Sequence, residues 1–562
     1  MRFVFCFLFI YCSIIVCLSQ AFDFRQTVVY QIYPRSFQDS NNDGIGDLRG
    51  IISKLDYLKE MGVETLWISP FFESPQADFG YDIKHFRKIA PEYGTLETVD
   101  SLISEVHQRG MRIIFDMVMN HTSDQHPWFK ASSQPENNEY SDFYVWAKGR
   151  GKNGKRPPNN WKSMIGGKGW QYHPEKGMWY WACFLPFQPD LNYRNPAVRD
   201  SMFNNVKFWL DRGVDGFRLD IFNAIFEDKD QTNNPFSFRA IPNEKNVNGF
   251  FQQQKFNLNH SDNEALAVEL RTLIDSYPDK FLVGEVFGNM NQLKSYLGPK
   301  SDGLNLVFLF ESLSTPLKAK HFIHLIETYE TNFSNPNLPT WVFGNHDRMR
   351  RRSVLGGDLE ECKLSASLQL TLRGVPFIYY GEEIGMEQAR IPSKQALDPL
   401  GKKYSFIPSF VVRWTGNTFN RDECRTPMQW NNSNNAGFSK SKPWLPIHSN
   451  FEKINVATQI DDSSSLLFHY QQLLAIRNTY KSLSSGKLTI DHKNSNPNIL
   501  AYYRELGDEK LWIVHNFARK PKSILAPSGL TIFNGVQTSN PQSTTKIPAF
   551  GTRIIRVSEK LH

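Results

Sequence analysis

The 562-residue chain is 40% hydrophobic and 14% aromatic, and its 64 Lys+Arg against 57 Asp+Glu give a formal net charge of +7. That composition excludes a disordered or low-complexity protein and supplies enough apolar surface for two or three domains around large cores. The positive excess is mild, and its densest cluster, Arg348 with Arg350, Arg351 and Arg352, is too short for a nucleic-acid face, so no nucleic-acid partner is expected.

Residues 1–21 read as a signal peptide. Arg2 supplies the positive start, residues 3–18 the apolar stretch, and Ser19-Gln20-Ala21 a small-x-small cleavage site. An exported protein follows, secreted or, in a bacterium, periplasmic. The alternative, an uncleaved anchor, is disfavoured by the short apolar run; no second spanning segment and no membrane partner are expected. Cys6, Cys12 and Cys17 lie in this leader, leaving Cys183, Cys362 and Cys424. Three spaced thiols are no disulfide framework, although Cys362 and Cys424 would be the better pair.

Beyond the leader, short β-type runs alternate with helical stretches. The runs are 28–33, 65–69, 112–118, 216–220, 280–286, 304–310, 340–343 and 377–380, the number a closed parallel barrel needs. Between them, segments such as 51–61 and 99–109 repeat apolar residues at helical spacing. The reading is an α/β chain, a (β/α)8 barrel in two parts, 22–121 and 193–483. The connection 122–192 is too long for a simple loop and carries Trp146, Trp161, Trp170, Trp179 and Trp181, which marks an inserted subdomain after the third strand. From 484 to 562 alternating strands and turns predict a C-terminal antiparallel β-sandwich.

The chemistry lies at the strand ends. Residues two apart in a strand share a face, so Arg218 and Asp220 of Gly216-Phe217-Arg218-Leu219-Asp220 point together while Phe217 and Leu219 enter packing. A guanidinium beside a carboxylate favours its ionised form, which makes Asp220 the candidate nucleophile. Glu285 ends another run among Val283, Val286 and Phe287, a setting that raises a carboxyl pKa and suits a general acid. Asp347, in Gly344-Asn345-His346-Asp347, would be the third acid, stabilising an oxocarbenium-like transition state. Any one acid alone reads rather as a buried salt bridge or a helix cap; three together at strand ends point to glycosidic-bond cleavage, retaining if the first two lie roughly 5 Å apart. His121 and His346 are either core histidines or donors to sugar hydroxyls.

With these motifs assembled, the sequence resembles glycoside hydrolase family 13, the α-amylase family, in its exo-acting α-glucosidase and oligo-1,6-glucosidase branch. The resemblance runs from about residue 29 to the C-terminus. It rests on Asp116-Met117-Val118-Met119-Asn120-His121, Gln188-Pro189-Asp190-Leu191-Asn192, 216–220, Gly284-Glu285-Val286, Asn345-His346-Asp347, 374–383 and Arg425-Thr426-Pro427-Met428-Gln429-Trp430, in family order. It implies Asp220 as nucleophile, Glu285 as acid/base and Asp347 as stabiliser. It also implies a sugar site that includes Tyr81, Asp82, His121, Gln188, Arg218, His346 and Arg425, with Asp82 and Arg425 gripping the 4-hydroxyl of a terminal glucose. A structural ion pair is the plainer reading of Arg425.

Residues 39–47 space oxygen ligands Asp39, Asn41, Asp43, the Ile45 carbonyl and Asp47 in a pattern that suits Ca²⁺. Gly50 stands where an EF-hand needs its bidentate Glu, so this is not an EF-hand. The resemblance implies one structural Ca²⁺ here and no organic cofactor; a metal-free polar turn is the alternative. After Asp220 the family associates a bulky residue with α-1,6 linkages and a small one with α-1,4, so Ile221 leans towards isomaltose-type or sucrose substrates. The substrate expected is a small α-glucoside of the maltose, isomaltose or sucrose type. Sucrose isomerases, trehalose synthases and glucosyltransferases share the acids, and a non-catalytic transporter heavy chain is the reading from another class. The sequence does not distinguish monomer from dimer. Asn259, Asn332 and Asn431 head glycosylation sequons in a eukaryotic host, as does Asn120 within a site motif.

Overall fold

A computed structural model describes residues 22–243, 245–406, 420–533 and 544–558; the leader read at 1–21 lies outside them. Eight parallel strands form the central sheet: β1 (Val29–Ile32), β2 (Thr65–Ile68), β3 (Arg112–Val118), β4 (Gly216–Asp220), β5 (Phe281–Gly284), β6 (Leu306–Val307), β7 (Thr340–Val342) and β8 (Val375–Tyr379). Their order is β6-β5-β4-β3-β2-β1-β8-β7. The runs read from sequence all become strands, several trimmed at their ends, and β3 and β4 keep their bounds. The helical segment read over 51–61 is two helices, Leu48–Ile52 and Leu55–Met61.

Strand parity separates the core into two layers. Val29, Trp67, Ile114, Phe281, Val283, Val342 and Phe377 fill the barrel. Their neighbours Tyr30, Leu66, Phe115, Phe217, Leu282 and Ile378 pack outward in the cluster that includes the surrounding helices. Gly216 opens β4 at φ 151°, and a Cβ there would stand 2.0 Å from the Phe281 carbonyl oxygen, so only glycine lets β4 lie this close to β5.

The ring closes in an unusual way. No backbone ladder joins β6 to β7 among the described residues. Two hydroxyls bridge the seam instead. Thr340 Oγ1 donates to the Val307 carbonyl at 2.9 Å and accepts from Leu309 N–H at 2.9 Å. Ser312 Oγ donates to the Val342 carbonyl at 2.8 Å and accepts from Val342 N–H at 3.3 Å.

Between β3 and β4 the chain forms a three-stranded sheet of Trp146–Ala147, Met178–Trp181 and Trp170–His173. Its buried tryptophans Trp161, Trp170, Trp179 and Trp181 share a cluster with Ile221 and Ala224, which ties it to the end of β4. At the C-terminus a five-stranded antiparallel sheet faces the pair Lys522–Leu525 and Thr544–Ile547 as a sandwich; Trp512, Val514 and Ile555 pack on Ile524 and Ile547. Cys183, Cys362 and Cys424 are buried and free, so the 362–424 pairing is not made. No helix of the described residues is long and apolar enough to cross a membrane.

Candidate active site

The parity that fills the barrel also builds the site. Ile114 faces inward, so Asp116 two residues on does too; Phe281 and Val283 lead likewise to Glu285, one residue past β5. Arg218 and Asp220 occupy inward positions of β4, and one guanidinium gathers three carboxylates, those of Asp116, Asp220 and Glu285. Arg218 Nη1 donates to Asp116 Oδ1 and Asp220 Oδ1, each at 2.7 Å, and Nη2 donates to Glu285 Oε2 at 2.7 Å. Arg218 is buried and Asp220 and Glu285 nearly so.

This sharing corrects the expectation that Arg218 holds Asp220 ionised. Divided among three carboxylates, the guanidinium does not offset their desolvation. Burial pushes Asp220 up to about 7 and Glu285 up to about 8, with Arg218 pulling both back. Asp116 rises to about 6 for the same reason. Asp220 and Glu285 are raised together and titrate as a pair. Asp347 goes the other way. Burial pushes it up, but the His346 Nε2–H at 3.2 Å and the guanidiniums of Arg421 and Arg425 overcome this and hold it well below the usual carboxylate range.

The histidines are neutral donors. Burial pushes His346 well below its ordinary value and His121 down to about 4. The Gln31 amide donates to His346 Nδ1 at 2.7 Å, which leaves the proton on Nε2, facing Tyr81 Oη at 2.6 Å and Asp347. Tyr81 Oη in turn donates to Asp116 Oδ2 at 3.1 Å. His121 donates through Nε2 to the Tyr81 carbonyl at 3.1 Å, so it positions Tyr81.

The expected Asp82–Arg425 clamp does not form. Asp82 is fully buried, and its oxygens accept from Ser74 Oγ and from the N–H groups of Ala77 and Asp78, each at 2.9 Å; it braces its own turn. Arg425 donates from Nε to the His346 carbonyl at 2.8 Å and from Nη2 to Asp347 Oδ1 at 2.8 Å. The pair at this end of the site is Asp78 with Arg421, whose Nη2 lies 2.5 Å from Asp78 Oδ1 and 2.7 Å from Asp398 Oδ1, while Nη1 lies 3.4 Å from Asp347. Gln188 Nε2 donates to Asp78 Oδ2 at 3.1 Å, so its role is to orient Asp78. The sequence reading missed Asp78, Arg421 and Asp116. Only Asp116 carried a readable signal, its inward parity in the third strand.

Ile221 follows Asp220 at φ 36°, ψ 50°, a left-handed conformation that a β-branched residue adopts only under strain. That geometry turns its N–H onto Glu285 Oε2 at 3.2 Å while the side chain enters the insert's tryptophan cluster.

The 39–47 loop carries only oxygen donors, the chemistry of a hard cation. Asp39 accepts from the N–H groups of Asn41, Asn42 and Gly44, Asp47 from Ser40 and Gly50, and Asp43 from Ile45. Among the described residues no three His, Cys, Asp or Glu converge as a metal cluster. A second oxygen set stands at the root of the insert. Asp190 and Glu227 are both buried, each pushed well up by burial, with Glu227 feeling the charge of Asp190. Asp190 is hydrogen-bonded by the Cys183 N–H at 2.9 Å and by the side chains of Asn120 and Trp181, whereas Glu227 Oε1 and the neighbouring Asn120 Oδ1 have no hydrogen-bond partner among the described residues. Asn259 is a poor acceptor for glycan, because its amide donates to the Phe287 carbonyl at 3.0 Å and accepts from Tyr296 Oη at 3.3 Å.

Comparison with known proteins agrees with this geometry. The family profile "Alpha amylase, catalytic domain" matches residues 31–486. An oligo-1,6-glucosidase of Parageobacillus thermoglucosidasius is 36% identical over 527 residues, covering 88% of this chain and 90% of that protein. An alpha-glucosidase of Apis mellifera is 35% identical, covering 91% of this chain and 87% of that protein. Among solved structures, an alpha-glucosyl transfer enzyme superposes with TM-score 0.85 at 34% identity over 95% of this chain and 99% of its own. The trehalulose synthase of Pseudomonas mesoacidophila MX-45 gives TM-score 0.85 at 31% identity, again over 95% and 99%. With this match over most of its length and an acid-lined barrel mouth, the chain belongs to the α-amylase family, glycoside hydrolase family 13, and is a glycoside hydrolase.

Proposed function

We propose that the protein is a secreted, retaining, exo-acting α-glucosidase that releases terminal glucose from short α-glucosides. The observation that carries the reading is the Arg218 fork, which holds Asp220 and Glu285 within hydrogen-bond reach of one guanidinium. With one proton shared between the pair, Asp220 as carboxylate attacks the anomeric carbon, while Glu285 as acid gives its proton to the leaving oxygen. Glu285 then takes a proton from water, whose oxygen displaces Asp220 from the covalent glucosyl intermediate. Asp347, ionised throughout, stabilises the positive charge that develops on the sugar. The ion pair of Asp78 with Arg421 ends the site and would grip the 4-hydroxyl of the terminal glucose, which favours single-unit removal over cuts within a chain.

The test is turnover of maltose, isomaltose and sucrose by the mature protein, with glucose and new disaccharides both quantified. Free glucose from at least one supports the proposal, and the ranking of linkages reports on Ile221. A new disaccharide with little glucose would establish a second reading, isomerisation or glucosyl transfer, which the likeness to trehalulose synthase and the glucosyl transfer enzyme favours. Inertness on all three would overturn both.

For a structural Ca²⁺ the donor chemistry of the 39–47 loop fits, and the buried oxygens of Asn120, Asp190 and Glu227 fit as well. Bound Ca²⁺ in purified protein, with a melting temperature that falls on chelation, would support a site. Asp39→Asn and Glu227→Gln variants separate the two sets by which one loses metal. Metal-free protein indifferent to chelator would overturn both.

A further inference from the structure

The arginine that ends the sugar site is held from behind as well as from across the pocket. Arg421 donates from Nε and Nη2 to Asp398 Oδ1 at 3.0 and 2.7 Å, and its own backbone N–H donates to Asp398 Oδ2 at 2.8 Å. Asp398 is fully buried, so one carboxylate fixes both the main chain and the side chain of Arg421. Nη2 is shared further with Asp78, whereas Nη1 makes one long contact among the described residues, 3.4 Å to Asp347. Nη1 is therefore the nitrogen with donor capacity left for a sugar hydroxyl.

Asp398 also heads a short helix, Pro399–Lys403, where Oδ1 accepts from the Leu400 N–H at 3.3 Å. The helix lies flat against the segment that carries Arg421, since a Cβ on Gly401 would stand 2.9 Å from Asn420 Oδ1. Five residues of α-helix span about 7.5 Å, and the far end is fastened to the insert. Lys403 Nζ donates to the carbonyls of Gly166 at 2.5 Å and Ile165 at 3.1 Å, and Tyr404 Oη donates to the Ile165 carbonyl. Gly166, at φ 78°, fits between the Phe250 ring and the Tyr404 hydroxyl: a Cβ there would stand 2.7 Å from Phe250 Cε1 and 2.8 Å from Tyr404 Oη. The turn is rooted in the insert, with Met164 N–H donating to the Cys183 carbonyl at 2.8 Å and Ser163 Oγ to the Phe184 carbonyl at 2.6 Å.

We propose that Asp398 is a positioning residue for the sugar grip, and that the helix it heads transmits the docking of the insert to Arg421. The inference rests on the reading that Asp78 and Arg421 grip the 4-hydroxyl of the terminal glucose. The insert then does more than stand over the site. Through Lys403 and Tyr404 at one end of the helix, and Asp398 at the other, it sets the aim of Arg421 Nη1.

The test is steady-state kinetics of the mature protein on 4-nitrophenyl α-glucoside and on its 4-deoxy counterpart, which offers Nη1 nothing to hold. Asp398→Asn should lower the ratio of the two kcat/KM values about tenfold, and the double variant Lys403→Met with Tyr404→Phe about threefold, mostly through KM for the glucoside. A residue that merely supports the fold would depress both substrates alike and leave the ratio unchanged. An unchanged ratio in the double variant would overturn the proposal, and this holds even if Asp398→Asn fails to fold, because the double variant leaves the buried carboxylate in place. Asp78→Asn is the control. A lowered ratio there beside unchanged ratios in the other variants sinks the proposal alone, whereas an unchanged ratio in all of them shows that the grip on the 4-hydroxyl is itself misplaced.

Discussion

Asp215 and Asp220 bracket the same strand, β4, and both carboxylates are buried, yet their surroundings drive them apart. At the N-terminal end, burial pushes Asp215 up, but His107 Nε2 at 2.7 Å, Lys280 and Arg112 at 3.1 Å each, and the Ile113 N–H more than offset this and hold it low. At the C-terminal end, Asp220 shares one guanidinium with Asp116 and Glu285 and feels Asp347 nearby, so its carboxyl is held high. The lesson is that burial alone does not mark a catalytic acid. The ratio of positive partners to carboxylates sets the direction in which a buried acid shifts, generous around Asp215 and Asp347 and scarce around Asp220 and Glu285.

The comparison is broken most directly at Asp220. Asp220→Asn and Glu285→Gln should each fold and lose about 10³-fold or more in kcat/KM, measured on whichever α-glucoside the wild type cleaves best. Glu285→Gln should also gain thermal stability at pH 8. A carboxyl whose folded value lies above its unfolded one binds more protons when folded, so the wild type loses stability as pH rises from about 4 to about 8. At the other end, Asp215→Ala should cost about 3 kcal/mol in urea unfolding, by leaving Arg112 and Lys280 beside an empty buried position, with activity per folded molecule unchanged. Here the sign is opposite. Asp215 is depressed, so its contribution is present above the unfolded carboxylate value and lost as pH falls through the folded one.

A smaller effect separates two aspartates of one turn. Asp78→Asn, which faces Arg421, should raise KM by about tenfold, whereas Asp82→Asn, whose oxygens are spent on its own turn, should change stability and leave KM nearly alone. Smallest is the shape of the pH profile. The logarithm of kcat/KM should climb to about pH 7 as Asp220 ionises and decline beyond about 8 as Glu285 loses its proton, the two titrating as a pair. A profile flat across that range would show that the two acids do not set the rate.

The barrel strands and the three acids were legible because each signal is local, an apolar run followed closely by a carboxylate, of inward parity for Asp220 and Glu285. The clamp was not. Asp78 and Asp82 are four residues apart in a turn without periodicity, and only the fold decides which meets an arginine 343 positions away. The ionisation of Asp220 was misjudged for a related reason. The sequence puts Arg218 beside it, while Asp116 and Glu285, which compete for the same guanidinium, arrive from other strands. The cysteine pairing failed because both thiols are buried in separate surroundings, Cys424 donating to the His346 carbonyl at 3.2 Å.

The hydroxyl seam between β6 and β7 bears on how the barrel breathes. Every other neighbouring strand pair is fastened by a peptide ladder, so the wall is weakest along one line, crossed by Thr340 and Ser312. Asp347 follows β7 on one side of that line, while β5, which precedes Glu285, lies with β6 on the other. A transient parting there would widen the distance between the stabilising acid and the proton donor without disturbing Arg218, so the amides of 306–309 and 340–342 should exchange with deuterium ahead of those in β4.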